Sequence, residues 1–241
     1  MASKEVNYNN QSFQLSYELV NPTQEKLLLV LHGWGSNKEI MKQAFGKTLP
    51  EYKHIYLDMP GFGKSTNDMV LTTYDYAQIV KLFLETLDVT PSIAMGHSFG
   101  GKVSTLLNTP FLVLLSSAGV VTDKPWTIKL KIATVKFLKP LGMTFIRDIF
   151  KSKDVENMSH EMYETFKNVV DEDFEDDFSK SKSKALCFWG KEDTATPLYT
   201  GEKIAGLIES SEFYPLDGDH FFFLAHKDFI AQTITKQCKE N

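Results

Sequence analysis

Short, continuously apolar runs recur along the 241-residue chain, and they constrain its fold more than any other feature of the sequence. A strand that is buried on both faces reads as such a run, because neither face meets water. The segments between the runs repeat apolar residues at three- and four-residue steps, which is the spacing of one helix face. The alternation predicts an α/β fold, in which helices cover both faces of a mostly parallel, twisted sheet. The predicted core strands are 27–31, 54–57, 92–95, 111–115, 185–189 and 212–216.

Further elements complete the predicted core. An antiparallel hairpin from about residue 6 to 20 precedes the first core strand, and a last covering helix runs from Phe222 to Ile234. One helix between strands carries an apolar stripe that should pack on the sheet. The stripe comprises Tyr76, Ile79, Val80, Phe83, Leu84 and Leu87.

The alternation of strands and helices stops between about residues 120 and 180, where three amphipathic stretches are broken at Pro140 and near 152–157. Charge is segregated in this segment: residues 124–153 hold eight Lys/Arg and one acid, whereas 154–177 hold ten acids and one Lys. We expect two solvated faces of opposite sign that attract each other. The chain therefore divides into a core of residues 1–119 and 181–241 and a helical cap insertion of residues 120–180.

Charge and cysteine content exclude several classes of function. The net charge of −5 provides no basic field that would recruit nucleic acid. Cys187 and Cys238 are too few for a disulfide framework, and neither has the neighbours of a zinc or redox site. No run approaches the roughly 18 apolar residues of a membrane span, and the polar start of the chain does not read as a signal peptide. We expect a cytoplasmic protein without a membrane span.

The segment Gly96-His97-Ser98-Phe99-Gly100-Gly101 has the form G-x-S-x-G, and it stands between a predicted strand and a helical stretch over 102–108. A sharp strand-to-helix turn strains the serine, and only small residues two positions away on each side avoid a collision. Glycine at both positions meets this need. The pattern predicts that Ser98 is a nucleophile.

A nucleophilic serine needs a general base, and six histidines compete for that role. His220 is favoured because it follows the last strand, at the carboxyl edge of the sheet where Ser98 should also lie. His97 is adjacent to the serine but should point elsewhere from a tight turn, and His32 should support its own loop by hydrogen bonding. The others are expected to be structural, solvated or inside a helix: His54, His160 and His226.

The base in turn needs a carboxylate that orients it. Asp193 follows the penultimate strand, again at a carboxyl strand end, and is the predicted acid. Asp123, beyond the strand over 111–115, is the runner-up. The choice of Asp193 gives the chain order Ser, Asp, His that is associated with the nucleophile elbow.

The oxyanion that forms when a serine attacks a carbonyl needs backbone N–H donors from loops. Phe99 should supply one amide, and Trp34 in the segment His32-Gly33-Trp34-Gly35 should supply the other. A plain glycine-rich turn is the alternative interpretation of that segment. Residues 58–65 do not form a P-loop, because only Phe62 separates two glycines that a P-loop would hold four residues apart. We expect a rigid turn that bounds the floor of the active site.

Five ordered segments together resemble the α/β-hydrolase superfamily, over a match that runs from about Lys26 to the end of the chain. They are similar to the family's oxyanion loop, D-x-P-G-x-G-x-S turn, nucleophile elbow, acid turn and histidine loop, and comprise residues 32–35, 58–65, 96–101, 189–197 and 218–220. The resemblance implies a hydrolase without a metal or other cofactor. In it, Ser98, His220 and Asp193 would be nucleophile, base and orienting acid, and residues 120–180 would cap the pocket.

Within the superfamily the sequence resembles carboxylesterases, which implies that a small-molecule ester is cleaved through an acyl-enzyme. Carbon–carbon hydrolases of ring-cleavage products are similar in pattern, but they usually carry Asn-Ser where this chain has His97-Ser98. Segments 32–35 and 60–65 also resemble pimeloyl-carrier methyl ester esterases, which implies an acyl carrier protein as a partner for the basic half of the cap. Acyl transfer or perhydrolysis with the same residues, and non-catalytic ligand binding on the same fold, are open alternatives.

Overall fold

The computed structural model describes residues 2–122 and 159–239, and in these ranges eight strands form one sheet in the order β1-β2-β4-β3-β5-β6-β7-β8. The strands are β1 Ala2–Tyr8, β2 Gln11–Val20, β3 Leu27–Leu31, β4 Lys53–Leu57, β5 Pro91–His97, β6 Phe111–Leu115, β7 Lys184–Gly190 and β8 Ser211–Leu216. The hairpin of β1 and β2 is antiparallel and lies at one edge, whereas β3 to β8 pair in parallel. The predicted α/β fold is confirmed, and each predicted core strand ends within two residues of the observed one.

Helices in the described ranges cover both faces of the sheet. They are α1 Lys38–Phe45, α2 Thr73–Thr86, α3 Phe99–Thr105, α4 His160–Val169, α5 Glu175–Lys180, α6 Leu198–Leu207 and α7 Phe223–Lys239. Successive residues of β3 point to opposite faces, so that Leu29 packs in a cluster with α2 and α3, and Leu28 in a cluster with α1 and α7. None of these helices is long and apolar enough to cross a membrane.

The predicted stripe on α2 faces the core. Tyr76, Ile79, Val80, Phe83 and Leu84 are buried, and Leu87 beyond the helix end is partly buried against the same cluster. The predicted last helix is α7, which begins at Phe223 and continues to Lys239. Periodicity therefore identified which side of these helices meets the sheet.

Much of the predicted insertion lies outside the described ranges, because residues 123–158 contain the basic block of 124–153 and the break at Pro140. Its last part is described as α4 and α5. Phe174 and Phe178 of this part are fully buried in the core, and the Phe174 amide donates to the Gly119 carbonyl at 2.8 Å. The division into a core and a cap at residues 120 and 180 stays a prediction.

A buried lysine joins this last part of the insertion to α3. The Nζ of Lys102 donates to the Val169 carbonyl at 2.7 Å and to the Glu172 carboxylate at 2.8 Å. Burial lowers the pKa of this lysine, which the Glu172 charge opposes. The Thr73 hydroxyl donates to the same carboxylate. One carboxylate thus ties the connection between α4 and α5 to both α2 and α3.

Candidate active site

The predicted site residues lie in the loops that follow four strands of the parallel sheet. Trp34 follows β3, Ser98 follows β5, Asp193 follows β7 and His220 follows β8. The carboxyl ends of parallel strands meet at one edge of a sheet, where α/β proteins bind ligands. The topology therefore brings residues that are far apart in sequence to the same edge.

Ser98 has a strained backbone at the turn between β5 and α3. Its φ of 50° and ψ of −116° lie outside the regions that most L-residues occupy, and such a conformation costs on the order of 1–3 kcal/mol. Backbone hydrogen bonds hold it: the Ser98 amide donates to Leu115 at 3.1 Å, and its carbonyl accepts from Gly101 at 3.0 Å and Ala118 at 3.1 Å. The bonds to the β6 end and the following loop fix the direction of the serine.

The two glycines of the G-x-S-x-G pattern are required by contacts. A Cβ at position 96 would lie 2.2 Å from the Gly100 carbonyl oxygen, and one at position 100 would lie 2.5 Å from the His32 carbonyl oxygen. Neither oxygen can move, because both belong to the backbone. The steric reason predicted from the spacing is therefore the one that applies.

Asp193 and His220 form a hydrogen-bonded pair, with 2.8 Å between Asp193 Oδ2 and His220 Nδ1. The side chain of Asp193 is fully buried, and that of His220 is 18% exposed. The other carboxylate oxygen accepts from the amides of Ala195 at 2.8 Å and Thr196 at 2.9 Å, and the Thr196 hydroxyl donates to Oδ2 at 2.9 Å. Thr196 was not predicted from the sequence, although its place three residues after the aspartate is typical of a turn closed by an Asp side chain.

The hydrogen bond of the pair fixes the tautomer of the imidazole. Burial alone would raise the pKa of Asp193, but hydrogen bonds from His220 and the Thr196 amide outweigh it and hold this pKa at about 2. The carboxylate is therefore ionised at neutral pH and only accepts, so that His220 Nδ1 carries the proton of a neutral ring. Nε2 is left with a free lone pair, which is the form that a general base needs.

Two of the other histidines have hydrogen-bond partners of their own. His54 is buried between the Leu49 carbonyl and the Tyr56 hydroxyl, and His226 in α7 bonds the Asp217 carbonyl at 2.8 Å. Asp123 lies outside the described residues. No hydrogen bond joins Ser98 Oγ to His220 within the described part of the chain, and such catalytic contacts often form only with substrate bound.

His32 supports the loop that carries Trp34, as predicted. Its Nδ1 donates to the Gly33 carbonyl at 2.8 Å, and its Nε2 accepts from the Met59 amide at 3.1 Å. Burial lowers the pKa of His32 to about 4, so the ring stays neutral and keeps both bonds at neutral pH. The Gly33 carbonyl and the Trp34 N–H belong to one planar peptide group. Fixing the carbonyl therefore fixes the direction of the Trp34 N–H.

The side chains of Trp34 and Phe99 meet in an aromatic cluster. Their ring centroids are 5.5 Å apart, and that of Trp34 lies 4.8 Å from Phe62 and 5.4 Å from Phe166 of α4. The Phe99 amide is the first of α3, and the first amides of a helix have no partner within it. Both amides predicted to bind an oxyanion thus belong to residues whose rings hold the two loops together.

Residues 58–65 form the rigid turn that the sequence predicts. Asp58 is buried, and its carboxylate accepts from Lys38 Nζ at 2.6 Å, the Lys38 amide at 2.8 Å and the Lys64 amide at 3.0 Å. The Ser65 hydroxyl donates to the Asp58 carbonyl at 2.6 Å. The next residue, Met59, provides the amide that His32 accepts, so this turn also supports the Trp34 loop.

A cavity of about 200 Å³ adjoins the turn that carries Ser98. Its walls are residues 117–122, 170–172, 195, 196 and 200, which include Ala118 bonded to the Ser98 carbonyl and Thr196 bonded to Asp193. The described residues hold no group of His, Cys, Asp and Glu side chains that could bind a metal ion.

Comparisons with known proteins agree with this arrangement. The sequence model of the family described as "alpha/beta hydrolase fold" matches residues 26–107. The uncharacterized hydrolase YugF of Bacillus subtilis is 25% identical, over 81% of this chain and 83% of that protein. A pimeloyl-[acyl-carrier protein] methyl ester esterase of Vibrio campbellii is 30% identical, over 41% of this chain and only 40% of that protein. A solved esterase from Exiguobacterium antarcticum has the same fold, with a TM-score of 0.77 and 20% identity, over 99% of this chain and 100% of that one.

Proposed function

We propose that this chain, which is similar to α/β-hydrolases in sequence and fold, cleaves carboxylic esters of small or medium acyl groups with a Ser-His-Asp triad. The observation that carries the proposal is the 2.8 Å bond between His220 and Asp193 at the sheet edge that also holds the strained Ser98. The bond to Asp193 leaves Nε2 of His220 free to act as a base, and the strained turn presents the Ser98 hydroxyl.

In the proposed acylation step, Ser98 Oγ attacks the ester carbonyl while His220 Nε2 takes the proton of the Ser98 hydroxyl. Asp193 stabilises the imidazolium that forms. The amides of Trp34 and Phe99 donate to the developing oxyanion, and each such donor is worth about 3–4 kcal/mol of barrier in a site of this kind. Collapse of the tetrahedral species then breaks the ester bond, and His220 returns the proton to the leaving alcohol.

In the proposed deacylation step, His220 Nε2 takes a proton from a water molecule that attacks the acyl-enzyme. The same two amides hold the second oxyanion. Its collapse releases the acid and returns the proton to Ser98. The small cavity beside Ala118 and Thr196, together with the aromatic cluster around Trp34, favours an acyl group of limited size.

The decisive experiment measures hydrolysis of a series of p-nitrophenyl esters from acetate to decanoate by the wild type and by Ser98→Ala, Asp193→Ala and His220→Ala. We expect each substitution to lower kcat by at least about 10³-fold. Ser104→Ala in α3 is a matched control, because Ser104 is buried but lies a helical turn and a half from the nucleophile. Full activity of Ser98→Ala would overturn the proposal.

Covalent labelling by a fluorophosphonate probe separates the proposal from non-catalytic ligand binding on the same fold. A working triad should give a Ser98 adduct that Ser98→Ala does not form, whereas a binding protein should not react.

Product analysis with added alcohols or hydrogen peroxide separates hydrolysis from acyl transfer, because the same acyl-enzyme would then form a new ester or a peracid. Turnover of a vinylogous diketone, with no turnover of esters, would indicate the carbon–carbon hydrolase instead.

The finer part of the proposal is that the ester is linked to an acyl carrier protein. It is supported by the similarity to the pimeloyl-carrier esterase and by the eight Lys/Arg of residues 124–153, since carrier proteins are acidic. Lys129→Glu, Lys131→Glu and Lys136→Glu should together slow turnover of a carrier-linked methyl ester and leave that of the free ester unchanged. Reversal of the exposed Lys180 and Lys182 is the matched control. Equal rates on both substrates in every variant would contradict the proposal that an acyl carrier protein is the partner.

A further inference from the structure

His97, which directly precedes the nucleophile, is a buried titratable group that the proposed reaction does not use. It is 1% exposed at the end of β5. Its ring does not point away from the site, as the sequence suggested, but lies 4.5 Å from the ring of His220 between centroids. The Nε2 of His97 also lies 2.9 Å from the backbone carbonyl oxygen of His220. The residue before the nucleophile therefore contacts both the ring and the backbone of the base.

The hydrogen bond to a carbonyl determines the tautomer of His97. A carbonyl only accepts, so Nε2 must carry the proton and Nδ1 must present a lone pair. That Nδ1 is buried and has no hydrogen-bond partner in the part of the chain that the structure describes. An unsatisfied buried acceptor costs free energy that an apolar ring of the same shape would not. Filling of the core is therefore not a sufficient reason for a histidine at this position.

The other side of the His97 ring lies against the loop that carries Trp34. A Cβ on Gly33 would come within 2.9 Å of His97 Nδ1 and within 3.2 Å of the Ser98 Cβ. The absence of that Cβ allows the loop backbone to approach the ring. The ring of Phe221 and that of Phe223 in α7 also pack against His97, at 5.3 Å and 4.9 Å between centroids. His97 thus separates the loop of the base from the loop of the predicted oxyanion donor.

We propose that His97 is a positioning residue, which holds the backbone of His220 through its Nε2–H and sets the distance from the base to the Gly33–Trp34 loop. The inference rests on the proposed serine hydrolase function, since it assigns His97 a role in that reaction. Burial and the adjacent His220 ring hold the pKa of His97 at about 3, although the hydrogen bond to the His220 carbonyl and the charge of Asp193 act in the opposite direction. The ring stays neutral when His220 takes up a proton, and it keeps its Nε2–H through the catalytic cycle.

Two substitutions separate the hydrogen bond from the packing of the ring. His97→Phe keeps an aromatic ring but loses the donor, and it should lower kcat about 10- to 100-fold, because a misplaced catalytic group costs that much. KM should change by no more than about twofold, since His97 is not expected to touch the substrate. His97→Gln carries an amide N–H near the position of Nε2, and it should restore kcat to within about threefold of wild type.

His54→Phe is the matched control, because His54 is also fully buried with both ring nitrogens hydrogen bonded, but it lies in β4 away from the site. It should lower the melting temperature without changing kcat. If His97→Phe does not fold, His97→Met replaces it, since Met has nearly the length of Gln and no donor. Equal kcat in the Gln variant and the donorless variant would overturn the inference.

The outcomes also distinguish a failure of this inference from a failure of the proposed function. Fluorophosphonate labelling of Ser98 in the wild type, with wild-type kcat in a folded His97→Phe, would refute the positioning role alone. Lack of labelling, with full activity of Ser98→Ala, would refute the triad and the positioning role together. A lower kcat at unchanged KM in His97→Phe, restored in His97→Gln, would support both.

Discussion

Acidification from pH 7 to pH 5 should remove a large part of the folding stability, because His32 and His97 are fully buried as neutral rings. Burial lowers their pKa values to about 4 and about 3, respectively. In the unfolded chain both would titrate near the ordinary value of about 6.5. Below that pH the unfolded chain takes up protons that the folded protein does not, and the equilibrium shifts toward unfolding.

The direction and size of the stability loss follow from the difference between the folded and unfolded pKa values. Since both folded pKa values are depressed, the stability is fully present above about pH 6.5 and is lost as the pH falls toward 4. Each histidine contributes about 1.4 kcal/mol per pH unit below 6.5, which amounts to about 2 kcal/mol by pH 5 and about 4 kcal/mol for the pair. Burial also lowers the pKa of His54, which adds in the same direction. Asp193, with a pKa of about 2, is ionised throughout this window.

Urea unfolding at pH 7 and pH 5, followed by tryptophan fluorescence and far-UV circular dichroism, measures the loss. The free energy of unfolding should fall by at least about 4 kcal/mol in the wild type and by about 2 kcal/mol less in His97→Gln, whatever its stability at pH 7. The comparison is internal to each variant, so a destabilised variant still reports its proton uptake. A wild-type loss below about 1 kcal/mol, or the same loss in His97→Gln, would refute the reasoning.

Further predictions concern single side chains. Asp193→Asn turns an amide NH₂ toward the imidazole and moves its proton to Nε2, so kcat on p-nitrophenyl esters should fall about 10³- to 10⁴-fold, whereas the exposed Asp217→Asn should keep the wild-type rate. Lys38→Met leaves the buried Asp58 carboxylate without a cation, and the free energy of unfolding in urea should fall by about 3–5 kcal/mol. Recovery of this stability in a double variant that also has a neutral residue at position 58 would support this cause. Gly100→Ala places a methyl group against a backbone oxygen and should lower the melting temperature strongly, whereas Gly206→Ala, in open space on α6, should raise it slightly.

The parts of the fold that the sequence predicts are those with a local signal. A continuously apolar run such as 27–31 favours a strand buried on both faces. Gly96 is required by a contact with Gly100, four residues away, and the G-x-S-x-G pattern indicates the second glycine, although Gly100 is required by the distant His32 carbonyl. The pairing of Asp193 with His220 could also be predicted, because both follow parallel strands whose carboxyl ends meet at one edge. For this pair, the topology expected of a parallel sheet supplied the long-range information that a single sequence lacks.

The supporting residues could not be found in the same way. The burial of Lys38 with Asp58 has no local signal, since both residue types are usually exposed. The contact between His97 and His220 spans 123 residues, but the sequence did contain a clue to it. Residues alternate between the faces of a strand, so His97 lies on the same face as Met95. Helix α7 covers this face, and α7 begins three residues after His220. The predicted tight turn at His97 left this last residue of β5 out of the alternation.

The bonds of Lys102 have a consequence for exchanging parts between related enzymes. A graft cut at residues 120 and 180, the borders that the sequence suggests, would remove Val169 and Glu172 and leave the lysine without either acceptor. A second junction just before Ser159, the N-cap of α4, would instead retain both acceptors with the recipient scaffold. The exchanged segment would then be shorter than the predicted insertion, and the contacts that support α3 would not have to be rebuilt.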